Sequence, residues 1–275
     1  MYSGFFINLN RNESRRAHVI QQLKDVNLSE HYQRFEAVDG NALAGTYDSK
    51  LLGGELGLWL SHEKLAKAYN DPHNHLHIIE DDVLFPSNAA SVFEATLQYA
   101  DANISDWDLI FTDIFFPPTS ELFCFFYPHM LAYMQSKHYR LIDLTQVQFC
   151  TTSSYFINKS SIAKYSNLIS GQWKSGQPID IYIRSLVNQR QLKALVSIPF
   201  NTTVATKHSS VSNIRGNHNA VNKVGELFRQ SFFQGADHQA LLAEIDALTQ
   251  GVQPSMMEEI FLRTLGFRIS VNWSR

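Results

Sequence analysis

Three carboxylates stand side by side in "HLHIIEDDVLF", residues 75–85, with apolar residues before and after them. Glu80, Asp81 and Asp82 repel one another and are costly to hold beside a hydrophobic core. Two conditions make such a run tolerable: the carboxylates face water at a turn, or something positive is held between them. Oxygen ligands of this hardness suit Mg²⁺ or Mn²⁺. In extended chain Glu80 and Asp82 point to one side and Asp81 to the other. One divalent ion would then be held by Asp82, with Glu80 reaching it through water or a ligand. The motif alone does not decide between a solvated turn and a metal site.

The elements that position these carboxylates are legible in outline. "GFFINL" (4–9), "RFEAV" (34–38), "HLHII" (75–79), part of "DWDLIFTDIFF" (106–116), "SSYFIN" (153–158) and "LVSIPF" (195–200) read as strands. Between them lie helical patterns: 12–24 with Asn12 as its cap, 61–69 with Ser61 at the cap position, and 159–169. Such alternation predicts an α/β sandwich around a mainly parallel sheet. In open sheets of this kind ligands bind outside the carboxyl ends of the strands, where "EDD" falls. From about 217 the pattern turns helical, at 219–235, 237–251 and 255–266, which predicts a C-terminal helical appendage (217–275) packed on a body of 1–216.

The chain has 275 residues, 44% hydrophobic and 18% charged, an ordinary globular balance. A formal net charge of −3 gives no basic excess and argues against nucleic acid as main partner. The two cysteines, Cys124 and Cys150, form neither a metal-ligand spacing nor a disulfide framework, which suits a reducing cytoplasm. "MYSGFFINLNRN" does not read as a signal peptide. No apolar run approaches the ~20 residues of a membrane span. The final "GFRISVNWSR" (266–275) mixes basic and aromatic groups in a way that suits a membrane surface.

Four blocks, "FINLNRNESRR" (6–16), "RFEAVDG" (34–40), "GGELGLWLSHEKLAKAY" (53–69) and "IIEDDV" (78–83), come in an order and spacing that resembles glycosyltransferase family 25. This family includes bacterial lipooligosaccharide galactosyltransferases and collagen hydroxylysine galactosyltransferases. Weaker matches follow in "TSSYFINKSSIAK" (152–164), "QPIDIYI" (177–183) and "SSVSNI" (209–214). The resemblance implies a GT-A-like fold and a sugar-nucleotide donor, typically a UDP-sugar. It further implies inverting transfer of a hexose, galactose or glucose, with Mn²⁺ or Mg²⁺, and "EDD" as the family's version of the DxD motif. A surface-glycan or glycolipid acceptor follows, in a cytoplasmic enzyme that works at most peripherally at the inner membrane. Two rivals from other classes are a metal-dependent phosphodiesterase or nucleotide hydrolase, and an inactive glycan-binding relative.

With the resemblance in place, the other residues acquire candidate roles. The donor side draws on Asn8, Arg11, Arg15, Asp39, Glu55, Ser61, His62, Glu80 and Asp81, and the metal on Asp82 and Glu80. Each has a plainer alternative. Arg15 and Arg16 also suit a helix start in water, Asp39 a turn bonding its own backbone, and His62 a buried structural histidine. Gly54 and Gly57 suit close backbone packing. The acceptor side draws on Thr112 and Asp113, where the family commonly ends its strand in Leu-Gly, and on the aromatic stretch 115–133, which equally suits core. Direct inversion needs a general base across the sugar from the diphosphate. Asp180 is the first candidate, with a helix cap as its alternative role, and Asp113 the second.

Overall fold

The computed structural model describes residues 1–43, 45–117, 119–205 and 220–249. The expected segments at 209–214, 255–266 and 266–275 lie outside the described residues. Seven strands form the main sheet: β1 (Tyr2–Asn8), β2 (Tyr32–Glu36), β3 (His75–Glu80), β5 (Leu109–Phe111), β6 (Arg140–Asp143), β7 (Ser154–Ile157) and β8 (Ala194–Ile198), in the order β2-β1-β3-β7-β5-β8-β6. β4 (Val83–Leu84) and β9 (Thr203–Val204) pair antiparallel in a small second sheet. Five strands, β2, β1, β3, β5 and β8, run one way, while β7 and β6 run against them. The sheet is therefore mainly parallel, as alternation predicted.

Helices cover both faces, and the alternation of β7 shows how. Phe156 joins the cluster that α1 (Glu13–Asp25) and α3 (Ala89–Asn103) build with Val19, Leu23, Phe93 and Leu97. Its neighbour Tyr155 points the other way and stacks on His62 of α2 (Gly53–Ala68) at 5.8 Å. On that second face Trp59 donates through Nε1 to Ile169 O of α5 (Ile162–Ile169) and packs on Tyr182 of α6 (Ile179–Asn188). Each large apolar side chain so buried contributes about 1.5–3 kcal/mol.

The structure differs from the expected elements in places with physical reasons. α2 begins at Gly53, eight residues before Ser61, which is therefore inside the helix and no cap. The true start is held by Glu55, whose carboxylate accepts the Leu52 N–H. The run "GGELGLWL" looks unhelical because of its glycines, yet a Cβ on Gly57 would stand 2.5 Å from Val38 O and 2.7 Å from Gly40 N. The glycine is needed because the helix meets the 38–40 turn backbone to backbone. Asn12 precedes α1, but its side chain makes no capping bond.

The aromatic stretch folds as α4 (Ser120–Ser136), and Phe123 and Phe126 pack with Phe116 against Phe228 of α7 (Ala220–Ser231) and Phe232 just after it. Phe116, Phe123 and Phe126 are core, while Phe125 is exposed and Phe115, Tyr127 and Tyr133 are half-buried. The chain divides into compact units 1–236 and 237–275, so α7, beyond the expected boundary at 216, belongs to the first unit. The second unit includes α8 (His238–Thr249).

Candidate active site

Parallel strands bring their carboxyl ends to one edge, and β7, running against them, delivers its start there. That edge collects Asn8 from β1, the "EDD" run from β3, Thr112 and Asp113 after β5, and Thr152 and Ser153 before β7. β3 is stitched to β7 at this point by Glu80 N–H donating to Ser153 O at 2.8 Å.

The three carboxylates have three different surroundings. Glu80 accepts from Thr152 Oγ1 at 2.7 Å. Its acidity is weakened first by burial and then by Asp82 beside it. Asp81 is 5% exposed and accepts from Asn8 Nδ2 at 2.6 Å. Burial raises its pKa, opposed by Arg15 and Asn8. Asp82 is paired by Arg15, whose Nη2 meets Oδ2, and Arg15 Nε also lies 3.0 Å from Asp81 Oδ1. The positive group held between the carboxylates here is thus an arginine of the chain itself.

One atom is left over: Asp82 Oδ1 is buried and has no hydrogen-bond partner. Among the described residues no three His, Cys, Asp or Glu side chains gather in metal-holding geometry. The residues still fit a divalent ion, because Mg²⁺-type sites commonly use one or two carboxylates and take the rest of their shell from water and substrate phosphates. A hard, orphaned carboxylate oxygen is a suitable anchor of that kind.

Several expected residues are placed elsewhere or spent otherwise. Asp113 is fully buried: Arg229 of α7 donates to its Oδ2 through Nε at 2.6 Å, and Ser153 Oγ donates to Oδ1 at 2.8 Å. It lies at the "EDD" edge, yet with both oxygens consumed it is an anchor for Arg229 and no base. Thr112, also fully buried, bonds Ser154 and Thr202, so this pair does not line an open acceptor surface. His62 is likewise in the core rather than at the edge. Its Nδ1 pairs with Tyr155 OH at 2.8 Å, and burial lowers its pKa to about 3. Ser61 donates to Gly57 O and accepts from Val38 N–H. Arg11 and Asp39 pair with each other at the ends of β1 and β2, and Asp39 also accepts from Asn41 N–H in a turn. Arg16 faces Glu13 at 3.7 Å.

Asp180 is the second residue of α6, behind Pro178 at the cap position, and its Oδ1 accepts the Ile181 N–H. Burial raises its pKa, and Glu55 and Arg184 act on it. Arg184 of the same helix donates to Phe149 O at 3.1 Å, next to Cys150, which bridges to Phe115 beyond β5.

Arg229, Thr152 and Ser153 are neighbours of the carboxylate edge that the sequence did not flag. A lone arginine in an amphipathic tail helix looks like a surface residue, and only the unexplained aspartate at 113 hinted at a buried partner. Burial disfavours the Arg229 charge, but Asp113, Glu226 and Asp82 hold it protonated more firmly than usual. Asn201 is another: it is fully buried, and neither of its side-chain polar atoms has a partner.

Comparison with known proteins gives these observations a frame. No curated protein matches the chain. A solved structure similar to it is that of mouse xyloside xylosyltransferase 1 in its apo form, at 10% identity and a TM-score of 0.34, covering 70% of this chain and 77% of that one. That likeness is too distant to carry any residue across. The family model for "Glycosyltransferase family 25 (LPS biosynthesis protein)" matches residues 1–183, and those residues contain the whole carboxylate edge, α2 and Asp180. The chain belongs to glycosyltransferase family 25.

Proposed function

We propose that this glycosyltransferase moves a hexose, galactose or glucose, from a UDP-sugar to a hydroxyl of a surface-glycan acceptor such as lipooligosaccharide, with inversion. The observation that carries this reading is the orphaned Asp82 Oδ1 at the carboxyl edge of the sheet, with Arg15 beside it. Asp82 would hold a Mn²⁺ or Mg²⁺ ion, with Glu80 near it. The chemistry such an ion supplies is neutralisation of the charge that develops on the departing diphosphate. Arg15 adds a second cation that can turn from Asp82 to a phosphate oxygen. Asn8 and Thr152 orient Asp81 and Glu80, and Arg11 and Asp39, paired at the ends of β1 and β2, would part to meet the nucleoside. Asp180 takes the acceptor hydroxyl proton as the new bond forms at the anomeric carbon and the bond to the diphosphate breaks, its electrons leaving with UDP.

A thermal-shift screen of sugar nucleotides with and without Mn²⁺ tests the donor, since only a ligand that binds the native state raises the melting temperature. A UDP-hexose should raise it in a Mn²⁺-dependent manner, and Asp82→Asn should abolish that shift with the fold intact. Wild-type turnover in Asp82→Asn would leave the run as a structural cluster held by Arg15. The base is tested separately. Asp180→Asn should lower turnover by roughly 10²–10⁴-fold with donor binding unchanged, and transfer at close to the wild-type rate would remove Asp180 from that role.

A further inference from the structure

On the far side of the sheet from β2, a cleft of about 790 Å³ opens between α3 and the connection from α4 to β6. Its wall carries Lys137, Arg140 and His129, two tyrosines, Tyr99 and Tyr139, and Thr96, and no Asp or Glu lines it. In a chain with a formal charge of −3 this is a local reversal of sign. Among the described residues no carboxylate forms an ion pair with Lys137 or Arg140, and Lys137 Nζ lies over the Tyr133 ring at 5.9 Å. Tyr99 is 52% exposed, an aromatic plane facing solvent. Thr96 is the independent sign of a missing ligand. It stands in the buried stripe of α3 with Val92, Phe93, Leu97 and Ala100, is 4% exposed, and its Oγ1 has no partner. A buried hydroxyl without a partner is costly, and Thr96 lines the cleft.

The cleft is also in register with the candidate active site. β6 runs against β8, so Arg140 pairs with Ile198 at the end of β8, on the same sheet edge as "EDD". From β3 to β6 are four strand spacings, about 19 Å. That separation is the length of a short oligosaccharide rather than of one sugar.

We propose that this cleft is an acceptor subsite for an anionic glycan, gripping a carboxylate- or phosphate-bearing sugar several units away from the hydroxyl that is glycosylated. Lys137 and Arg140 meet the anion, Thr96 and His129 donate to or accept from sugar oxygens, and Tyr99 offers a face for a ring. The inference rests on the glycosyl-transfer reading above, but it can fail alone.

The test is calorimetric titration of the whole chain with tetragalacturonate and with uncharged maltotetraose, alongside the UDP-sugar thermal shift. Wild type should bind tetragalacturonate at least about tenfold more tightly than maltotetraose, with affinity falling as salt rises. K137Q/R140Q should lose that preference while the UDP-sugar shift is kept. Thr96→Val, which keeps shape, should weaken tetragalacturonate several-fold without lowering the melting temperature. Equal binding of the two oligosaccharides, or an unchanged preference in K137Q/R140Q, overturns the proposal. It is also overturned if inorganic phosphate binds as tightly as tetragalacturonate. The same holds if the two cations matter only for sedimentation with phosphatidylglycerol vesicles. If tetragalacturonate binds as expected while no UDP-sugar shifts the melting temperature, the donor reading fails and the glycan site stands.

Discussion

At the scale of single residues, the acidic run shows how a costly charge cluster is distributed. Glu80, Asp81 and Asp82 are each given a different partner, Thr152, Asn8 and Arg15, and Asp82 Oδ1 is left buried without one. Asp113 illustrates the opposite outcome. Its pair with Arg229 is buried on both sides, and removing one member of such a pair commonly costs 3–5 kcal/mol because the other charge is left stranded. Asp113→Asn should therefore lower unfolding free energy by about 3–5 kcal/mol, read by urea denaturation, and adding Arg229→Met should recover part of the loss. A variant no less stable than wild type would show that the pair carries nothing. The sequence marked Asp113 as unusual but could not say why, because its partner lies 116 positions away in a helix that reads as amphipathic.

At the scale of elements, what was legible depended on whether the signal was local. β1, β3, β7 and β8 announce themselves as apolar runs, while β2, expected at 34–38, is the more polar Tyr32–Glu36. β6, four residues long and partly exposed, has too little pattern to read, and α4 was hidden behind its aromatic residues. α2 was misjudged at its start because glycine counts against helix when only local propensity is considered. The contact with the 38–40 turn overrides that preference. Gly57→Ala gains up to about 1 kcal/mol in helix propensity, but its methyl group would press on two backbone atoms, Val38 O and Gly40 N. Overpacking of this kind costs about 1–3 kcal/mol, and neither atom can move without shifting the turn that presents Asp39. A net loss of stability is expected, measured by thermal or urea unfolding. A variant more stable than wild type would show that the turn yields.

At the scale of the whole molecule, stability against pH is set by two opposed sets of buried groups. His62 and His77 are held neutral, their pKa values lowered by burial. Glu80, Asp81, Asp113 and Asp180 are shifted the other way, also first by burial. As pH falls below about 6.5, the unfolded chain protonates its histidines while the folded chain does not, so each histidine withdraws stability at about 1.4 kcal/mol per pH unit. The raised carboxylates take up protons in the folded state first, Glu80 already from about pH 8, which favours folding as pH falls. The wild-type profile is the difference between the two, so a single curve cannot identify either. A variant can isolate one histidine. His62 bonds Tyr155 OH through Nδ1, and glutamine can keep a hydrogen bond there without titrating. His62→Gln should be less stable than wild type at pH 7.5, by about 1–2 kcal/mol from altered packing on Tyr155. The window for His62 runs from its unfolded value near 6.5 to its folded value of about 3. Through the upper part of it wild type loses stability that the variant keeps, so the gap should move by about 2 kcal/mol between pH 6.5 and 5, enough to close or reverse it. Urea denaturation across that range, followed by the fluorescence of the buried Trp59 one turn away on α2, measures the gap directly. Two profiles that stay parallel from pH 7.5 to 5 would mean that His62 takes up its proton as readily in the folded core as in water.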